Sequence, residues 1–403
     1  MFFDGEPADS STRQEVDQIL LTLFGTPGQA RLPFAPSSEV QQPLVSDQHL
    51  QLSAGAVLSD QDGRPQGLFR EHCSQCHGIT GDGAGPAAAL LNPYPRDFRL
   101  GKFKFKSTPM RHPPTDGDLK RTLLNGIPGT AMPSFSLLPE EEIDALIDYV
   151  KYLSIRGQYE RYLIAQVPQL VSDSFFDDEP QKQRLLTAAL NLPAAQRADG
   201  WLAETDSQPL QTFLQEWIGV QFQQTVIDRW ANSALAAISV PSPPVALDPK
   251  DNRHAALVAQ GEQLFLGKGT CYQCHGKDGS GLGELKNYDD WTNDWMNSPG
   301  VNPDNRSTYK DFRQAGALRP RVARPRNLAL GIYRGGGSDQ DLYLRIDQGI
   351  EGSPMPAATA LSDAEIWALV AYVRSLSDAV PTRTMPEEPV ESASITRSMV
   401  EGP

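Results

Sequence analysis

The sequence predicts a mainly α-helical protein, built as two similar domains joined by a helical spacer. Three observations lead there. The pentapeptide Cys73-Ser74-Gln75-Cys76-His77 returns as Cys271-Tyr272-Gln273-Cys274-His275, and the two copies hold all 4 cysteines of the 403-residue chain. A Gly/Pro-rich loop and the stretch after it also return, at a constant offset of 223 positions, which marks an internal duplication. Both copies of that stretch carry apolar residues at three- and four-residue spacing, the period of an amphipathic helix.

Cys-x-x-Cys-His is the attachment signature of c-type haem. Two thiols three positions apart can each add to one vinyl group of a single porphyrin, and the adjacent imidazole then sits beneath the iron as proximal ligand. Cys73, Cys76, His77, Cys271, Cys274 and His275 are therefore candidate haem-binding residues, and two covalently bound haem c groups are expected. Other chemistries compete for the same residues. A disulfide within each pair explains an even cysteine count but leaves both histidines without a role. A zinc site shared by the pairs needs four nitrogen or sulfur ligands, here brought together across 198 positions. A thioredoxin-like redox motif wants a βαβ pattern, which is absent.

The length fits two or three domains. Lys and Arg number 36 against 50 Asp and Glu, a net charge of −14, which excludes nucleic acid as the natural partner and favours a basic or locally basic redox protein. Haem of this kind is installed outside the cytoplasm, so a periplasmic or other extracytoplasmic location is expected. Met1-Phe2-Phe3 is followed by Asp4 and Glu6, and the apolar run Ile19 to Phe24 is too short to span a membrane. Membrane association is left to a lost N-terminal anchor or to a partner.

In chain order, residues 1–48 read as an arm. Within it Val16, Ile19, Leu20 and Leu23 line one face of a short helix stopped by Gly25 and Pro27, and its expected role is packing over the neighbouring domain. The first haem domain spans 49–158. Gly67-Leu68-Phe69 opens a short helix whose aromatic faces the last helix of the unit. Gly78, Gly81, Gly83 and Gly85 then give turns that let backbone approach a porphyrin edge. Lys102-Phe103-Lys104-Phe105-Lys106 alternates as a short strand would, with one basic and one apolar face. Gly126-Ile127-Pro128-Gly129-Thr130-Ala131-Met132-Pro133 presents a thioether on a loop just before a helix, the place for a sixth iron ligand, and Pro133 restricts the backbone there. Ile143, Leu146, Ile147, Val150 and Leu153 stripe the closing helix.

Residues 159–247 read as a helical spacer or partner-binding element, with helices at Gln181–Leu192, Leu210–Trp217 and Phe222–Ile238 and neither Cys nor His. The second haem domain, 248–381, repeats the loop as Gly349 to Pro356, with Met355 in the place of Met132 and the stripe Ile366, Leu369, Val370, Val373 and Leu376 after it. His77 and Met132 lie 55 residues apart, His275 and Met355 80. The extra length falls between Glu284 and Val322 and includes Trp291, Trp295 and Met296, a cover for a haem edge or a docking surface. Across this difference Pro95-Arg96-Asp97-Phe98 lines up with Pro325-Arg326-Asn327-Leu328, which makes Arg96 and Arg326 candidates for pairing with haem propionates. His112 and His254 are alternative distal ligands. Residues 382–403 form a Pro/Glu/Ser-rich tail.

On these residues, stretches 49–158 and 248–381 resemble a tandem pair of class I cytochrome c domains, similar to dihaem c-type subunits of respiratory complexes. The resemblance implies proximal His77 and His275, thioether cysteines at 73, 76, 271 and 274, and distal Met132 and Met355, so that His77, Met132, His275 and Met355 hold iron. His/Met ligation goes with a raised iron potential and electron transfer. The expected function is carriage of single electrons between redox protein partners within or alongside a respiratory complex, with no small-molecule substrate. The alternative is a dihaem enzyme, peroxidase-like or oxidase-linked, which needs one displaceable distal ligand. A third reading is an assembly subunit whose middle helices dock a membrane complex.

Overall fold

In the computed structural model the described residues are 43–172 and 222–378, apart from positions 60, 246, 286 and 289–293, together with 23–34 and scattered residues before them. They are mostly helical. The first unit contains α1 (Asp47–Ser53), α2 (Leu68–His72), α3 (Ser74–His77), α4 (Asp116–Asn125) and α5 (Glu140–Ser172). After α6 (Asp228–Ala231), the second unit contains α7 (His254–Leu266), α8 (Tyr272–His275), α9 (Lys310–Gln314), α10 (Asp339–Gln348) and α11 (Asp363–Asp378). Among the described residues strands are limited to small antiparallel pairs such as Leu58–Ser59 with Pro65–Gln66 and Asn287–Tyr288 with Val322–Ala323.

The duplication is visible in how the helices start and stop. α4 opens on a capping box in which the Thr115 hydroxyl accepts from Asp118 N at 3.0 Å and the Asp118 carboxylate accepts from Thr115 N at 3.1 Å. α10 opens on the same box, Ser338 with Asp341. This satisfies orphan N–H groups at each helix start. Both helices end at a glycine in the left-handed half of backbone space, Gly126 at φ 62° and Gly349 at φ 68°. The closing helices pack as their stripes predict. Ile143, Leu146, Ile147, Val150 and Leu153 of α5 join Leu68 and Phe69 in one buried cluster. Ile366, Leu369, Val370 and Val373 of α11 join Leu257 and Phe265 in a second. Phe69 meets Tyr149 with ring centroids 5.0 Å apart, and Phe265 meets Tyr372 at 5.2 Å. At the crossing of α7 and α11 the chain carries Gly261, where a Cβ would stand 2.0 Å from the carbonyl oxygen of Ala368.

Several segments depart from the sequence reading. α5 runs through position 158 to Ser172, with Gly157 lying so close to Arg99 that a Cβ would come within 2.2 Å of its Cα. From the arm, Leu20 and Phe24 are fully buried in the first cluster, and the Tyr152 hydroxyl donates to Phe24 O at 3.0 Å. The stretches 181–192 and 210–217 and the tail 382–403 lie outside the described residues. Where one helix was expected over Phe222–Ile238, the backbone forms π-helical turns at 222–227, then α6, then a 3-10 turn at Ser233–Ala236. This places Phe222, Ile227 and Trp230 in the first core. The chain then crosses over: Ile238 N donates to Ser107 O at 2.9 Å, and Trp367 Nε1 of the second unit donates to Pro241 O at 3.2 Å.

No strand forms at Lys102–Lys106. Its expected basic and apolar faces do not separate, because Phe103 and Lys106 are both buried. Phe103 packs into the first core against Phe98 and Trp230, whereas Lys106 is buried by the second unit, which packs against this segment. Arg345 of α10 donates to the carbonyls of Lys104, at 2.8 Å, and Lys106. The two units also meet where Arg121 pairs with Asp341 at 3.1 Å. Arg321, at the end of the 284–322 insertion, donates to the carbonyls of Ala89 and Leu91 and lies 3.8 Å over the Tyr94 ring. Further up the insertion Trp295 stacks on Phe312 at 4.6 Å and Met296 is buried, giving it a small core of its own. Trp291 lies outside the described residues.

Candidate haem-binding sites

The short helices α3 and α8 each place two thiols and an imidazole on one turn. All four cysteines are free. Burial raises the Cys73 thiol to about 12 and that of Cys271 to about 11, so both are neutral S–H groups, the form that adds across a vinyl bond to give a thioether. His77 Nδ1 lies 2.9 Å from the backbone oxygen of Arg96. A carbonyl only accepts, so Nδ1 carries the proton and Nε2 keeps a lone pair for a metal. Burial, opposed by that hydrogen bond, lowers the imidazole to about 4, which leaves it neutral at pH 7. In the second copy His275 Nδ1 faces the backbone oxygen of Arg326 at 3.3 Å, and burial again lowers the imidazole.

Glycines bring these carbonyls into place. Gly83 N donates to His77 O and Gly281 N to His275 O, both at 2.8 Å. A Cβ would stand 2.8 Å from Pro95 O at Gly83 and 2.6 Å from Pro325 O at Gly281, so a larger residue would push away the Pro-Arg segment that orients the imidazole. Outer hydrogen bonds of this kind fix the ring orientation and basicity of a ligating histidine.

The two methionine loops share one geometry. Ile127 N donates to Met132 O at 3.1 Å and Ile350 N to Met355 O at 3.0 Å. A hydroxyl staples each loop: Thr130 Oγ1 donates to Ile127 O and accepts from Met132 N, and Ser353 Oγ donates to Ile350 O and accepts from Met355 N. Sequence reading missed these hydroxyls, although Thr130 and Ser353 stand 223 positions apart like the rest of the repeat. Met132 packs against the cluster that contains Cys73 and Phe98, and Met355 is half-buried.

Arg96 and Arg326 are thus brought to the sites first through their carbonyls. The Arg96 side chain is buried, with Nε donating to Asp97 O at 2.9 Å. Arg326 donates from Nη2 to Ile332 O at 3.2 Å while its Nε is buried without a hydrogen-bond partner, a donor that an acidic group of a bound cofactor would satisfy. His254 is the first residue of α7, and the His112 carbonyl accepts from Lys106.

The donor set fits covalent haem in both copies: two free thiols, a neutral imidazole turned to offer Nε2, and a stapled loop carrying a thioether. Among the described residues no three His, Cys, Asp or Glu side chains converge as a shared zinc site would require. A haem held in this way supplies one-electron exchange between ferric and ferrous iron.

Fold and sites together define a c-type haem protein of two domains. The cytochrome c family matches residues 64–154 and 258–377, more than half of the chain, and each match contains one Cys-x-x-Cys-His and one methionine loop and extends into the closing helix. The chain belongs to the cytochrome c family. Comparison with curated protein sequences gives no match. Among solved structures, a chain of the Kuenenia stuttgartiensis reducing HAO-like protein complex is similar, at 23% identity and TM-score 0.45, over 77% of this chain and 93% of that one. Among the described residues no helix is long and apolar enough to cross a membrane.

Proposed function

We propose that the protein is a dihaem c-type cytochrome that carries single electrons between redox protein partners, in the periplasm or otherwise outside the cytoplasm, within or alongside a respiratory chain complex. The observation that carries this reading is the repeat of the whole ligand geometry. Each copy turns an imidazole with a backbone carbonyl, and each holds a methionine on the same stapled loop. His77 and His275 take the proximal positions, Met132 and Met355 the distal ones, and the four cysteines the thioether bonds. Arg96 and Arg326 serve the propionates. With both axial positions filled by side chains, substrate has no open coordination site, and the protein sets the potential through ligand identity and burial. The net charge of −14 favours a basic docking partner.

The test is a haem count by pyridine haemochrome on pure protein, with a spectroscopic redox titration. Two haems per chain and two one-electron waves are expected. Fewer than two, or ferrous protein that readily binds carbon monoxide, overturns the carrier role and favours an enzyme with one displaceable ligand.

A further inference from the structure

Where the second copy departs from the first, it departs toward the other domain. Glu351 lies inside the loop Gly349–Pro356, four residues before Met355, and its counterpart in the first copy is Pro128. Glu351 is 8% exposed, and its carboxylate pairs with the ammonium of Lys106, itself 4% exposed, in the first domain. The same carboxylate accepts the backbone N–H of Arg111 at 3.2 Å. Lys106 donates in addition to His112 O. Arg345, on the helix that leads into the loop, is buried and fixes Lys104 and Lys106 through their carbonyls, and its counterpart in the first copy is Thr122. The loop is therefore fastened to the segment Lys104–His112 from inside and from its entry.

The methionine loop of the first domain is held more lightly from across the interface. Arg334 Nη2 donates to Gly129 O at 3.5 Å, and a Cβ at Gly129 would stand 3.0 Å from Arg326 Nη2.

A buried charge pair favours the arrangement that keeps it intact, because removing or displacing one partner leaves the other charge buried and uncompensated. Any movement of the 349–356 loop that carries Met355 away from the iron must separate Glu351 from Lys106 or drag the first domain with it. We infer that Glu351 and Lys106 are positioning residues for Met355: they tie the sixth-ligand loop of the second haem to the first domain, so that methionine ligation there depends on the docking of the two domains. This rests on the two-haem, His/Met reading above.

The experiment uses the complete two-haem protein and titrates its ferric form with imidazole, a ligand that competes with methionine for iron. Met132→Ala and Met355→Ala, each lacking one thioether, assign the two binding phases to their domains. The apparent affinity of an added ligand rises with the fraction of protein in the methionine-off state, so Glu351→Gln is expected to tighten imidazole binding at the second haem on the order of tenfold. The first haem stays at its wild-type affinity. Lys106→Met has the same effect, and the exchanged pair Lys106→Glu with Glu351→Lys moves the affinity back toward wild type. A role confined to general stability would lower the denaturation midpoint without shifting imidazole affinity in folded protein. If Glu351→Gln yields no two-haem protein, Lys106→Gln gives the same readout. Wild-type affinity at the second haem in these variants, beside a wild-type protein that shows both thioether bands, overturns the tie. A wild-type protein without a thioether band from the second haem overturns the ligand reading itself.

Discussion

The ring of Phe98 lies nearly flat on the imidazole of His77, with centroids 4.5 Å apart and planes 18° from parallel. Leu328 takes that place in the second copy, where the imidazole is less buried and its bond to the Pro-Arg carbonyl is longer, 3.3 Å against 2.9 Å. The two proximal sites therefore differ in packing although they share a motif. Phe98→Leu should destabilise the first domain by about 1–2 kcal/mol, between the costs of small and complete truncations of buried apolar side chains. Denaturant unfolding followed at the haem absorbance checks this, and an unchanged midpoint would show that the stack contributes nothing.

Met132→Ala and Met355→Ala should each remove the thioether-to-iron charge-transfer absorption of one ferric haem while leaving two haems covalently attached. Covalent attachment rests on the cysteines, which neither change touches. Thr130→Val and Ser353→Ala, which delete the loop staples, should weaken those bands without abolishing them, because both hydrogen bonds of each hydroxyl are lost while the backbone bonds from Ile127 N to Met132 O and from Ile350 N to Met355 O remain. Intact absorption in both methionine variants would mean that the sixth ligand is another side chain.

Acid should act through His77. Burial in the fold lowers its iron-free imidazole to about 4, against an ordinary value of 6.5. Between these the unfolded chain binds more protons than the native one, so native stability falls as pH drops from 6.5 toward 4 and levels off below. Iron acts in the same direction, since it competes with the proton for Nε2. The denaturation midpoint should therefore be lower at pH 4.5 than at pH 7, by an amount corresponding to at most roughly 3 kcal/mol from the imidazole alone. A flat profile across this window would show that His77 takes up no proton on unfolding.

Much of this was legible in the sequence because the chemistry is local. Attachment residues lie within five positions, and the amphipathic stripes of α5 and α11 declare their buried faces by period alone. The second methionine loop follows from its register with the first. What the sequence did not show depends on contacts between segments far apart in the chain. Lys106 read as part of a basic face, yet it is buried because Glu351 reaches it across 245 positions. Phe222 and Trp230 read as spacer and are core of the first unit, because Phe34, Tyr159 and Phe103 supply the aromatic surface they pack on. Arg96 and Arg326 stand out in the sequence for their side chains, while their backbone oxygens orient the histidines, a role that residue identity does not encode.

The helix crossing in the second domain gives a prediction whose sign runs against helix propensity. Replacing glycine by alanine inside a helix ordinarily stabilises it by about 0.5–1 kcal/mol. At Gly261 the new Cβ would stand 2.0 Å from Ala368 O, a backbone atom that moves only if α7 and α11 separate. Gly261→Ala should therefore destabilise the second domain by about 2 kcal/mol or more, as overpacking of a close-fitted core does. Gly117, in the first turn of α4, is the control. Its Cβ would meet only Thr115 Oγ1 at 3.6 Å, so Gly117→Ala should leave the protein as stable as before or more so. Urea unfolding of both variants measures the difference, and a Gly261→Ala protein that matches or exceeds wild-type stability would show that the two helices do not cross as closely as these contacts require.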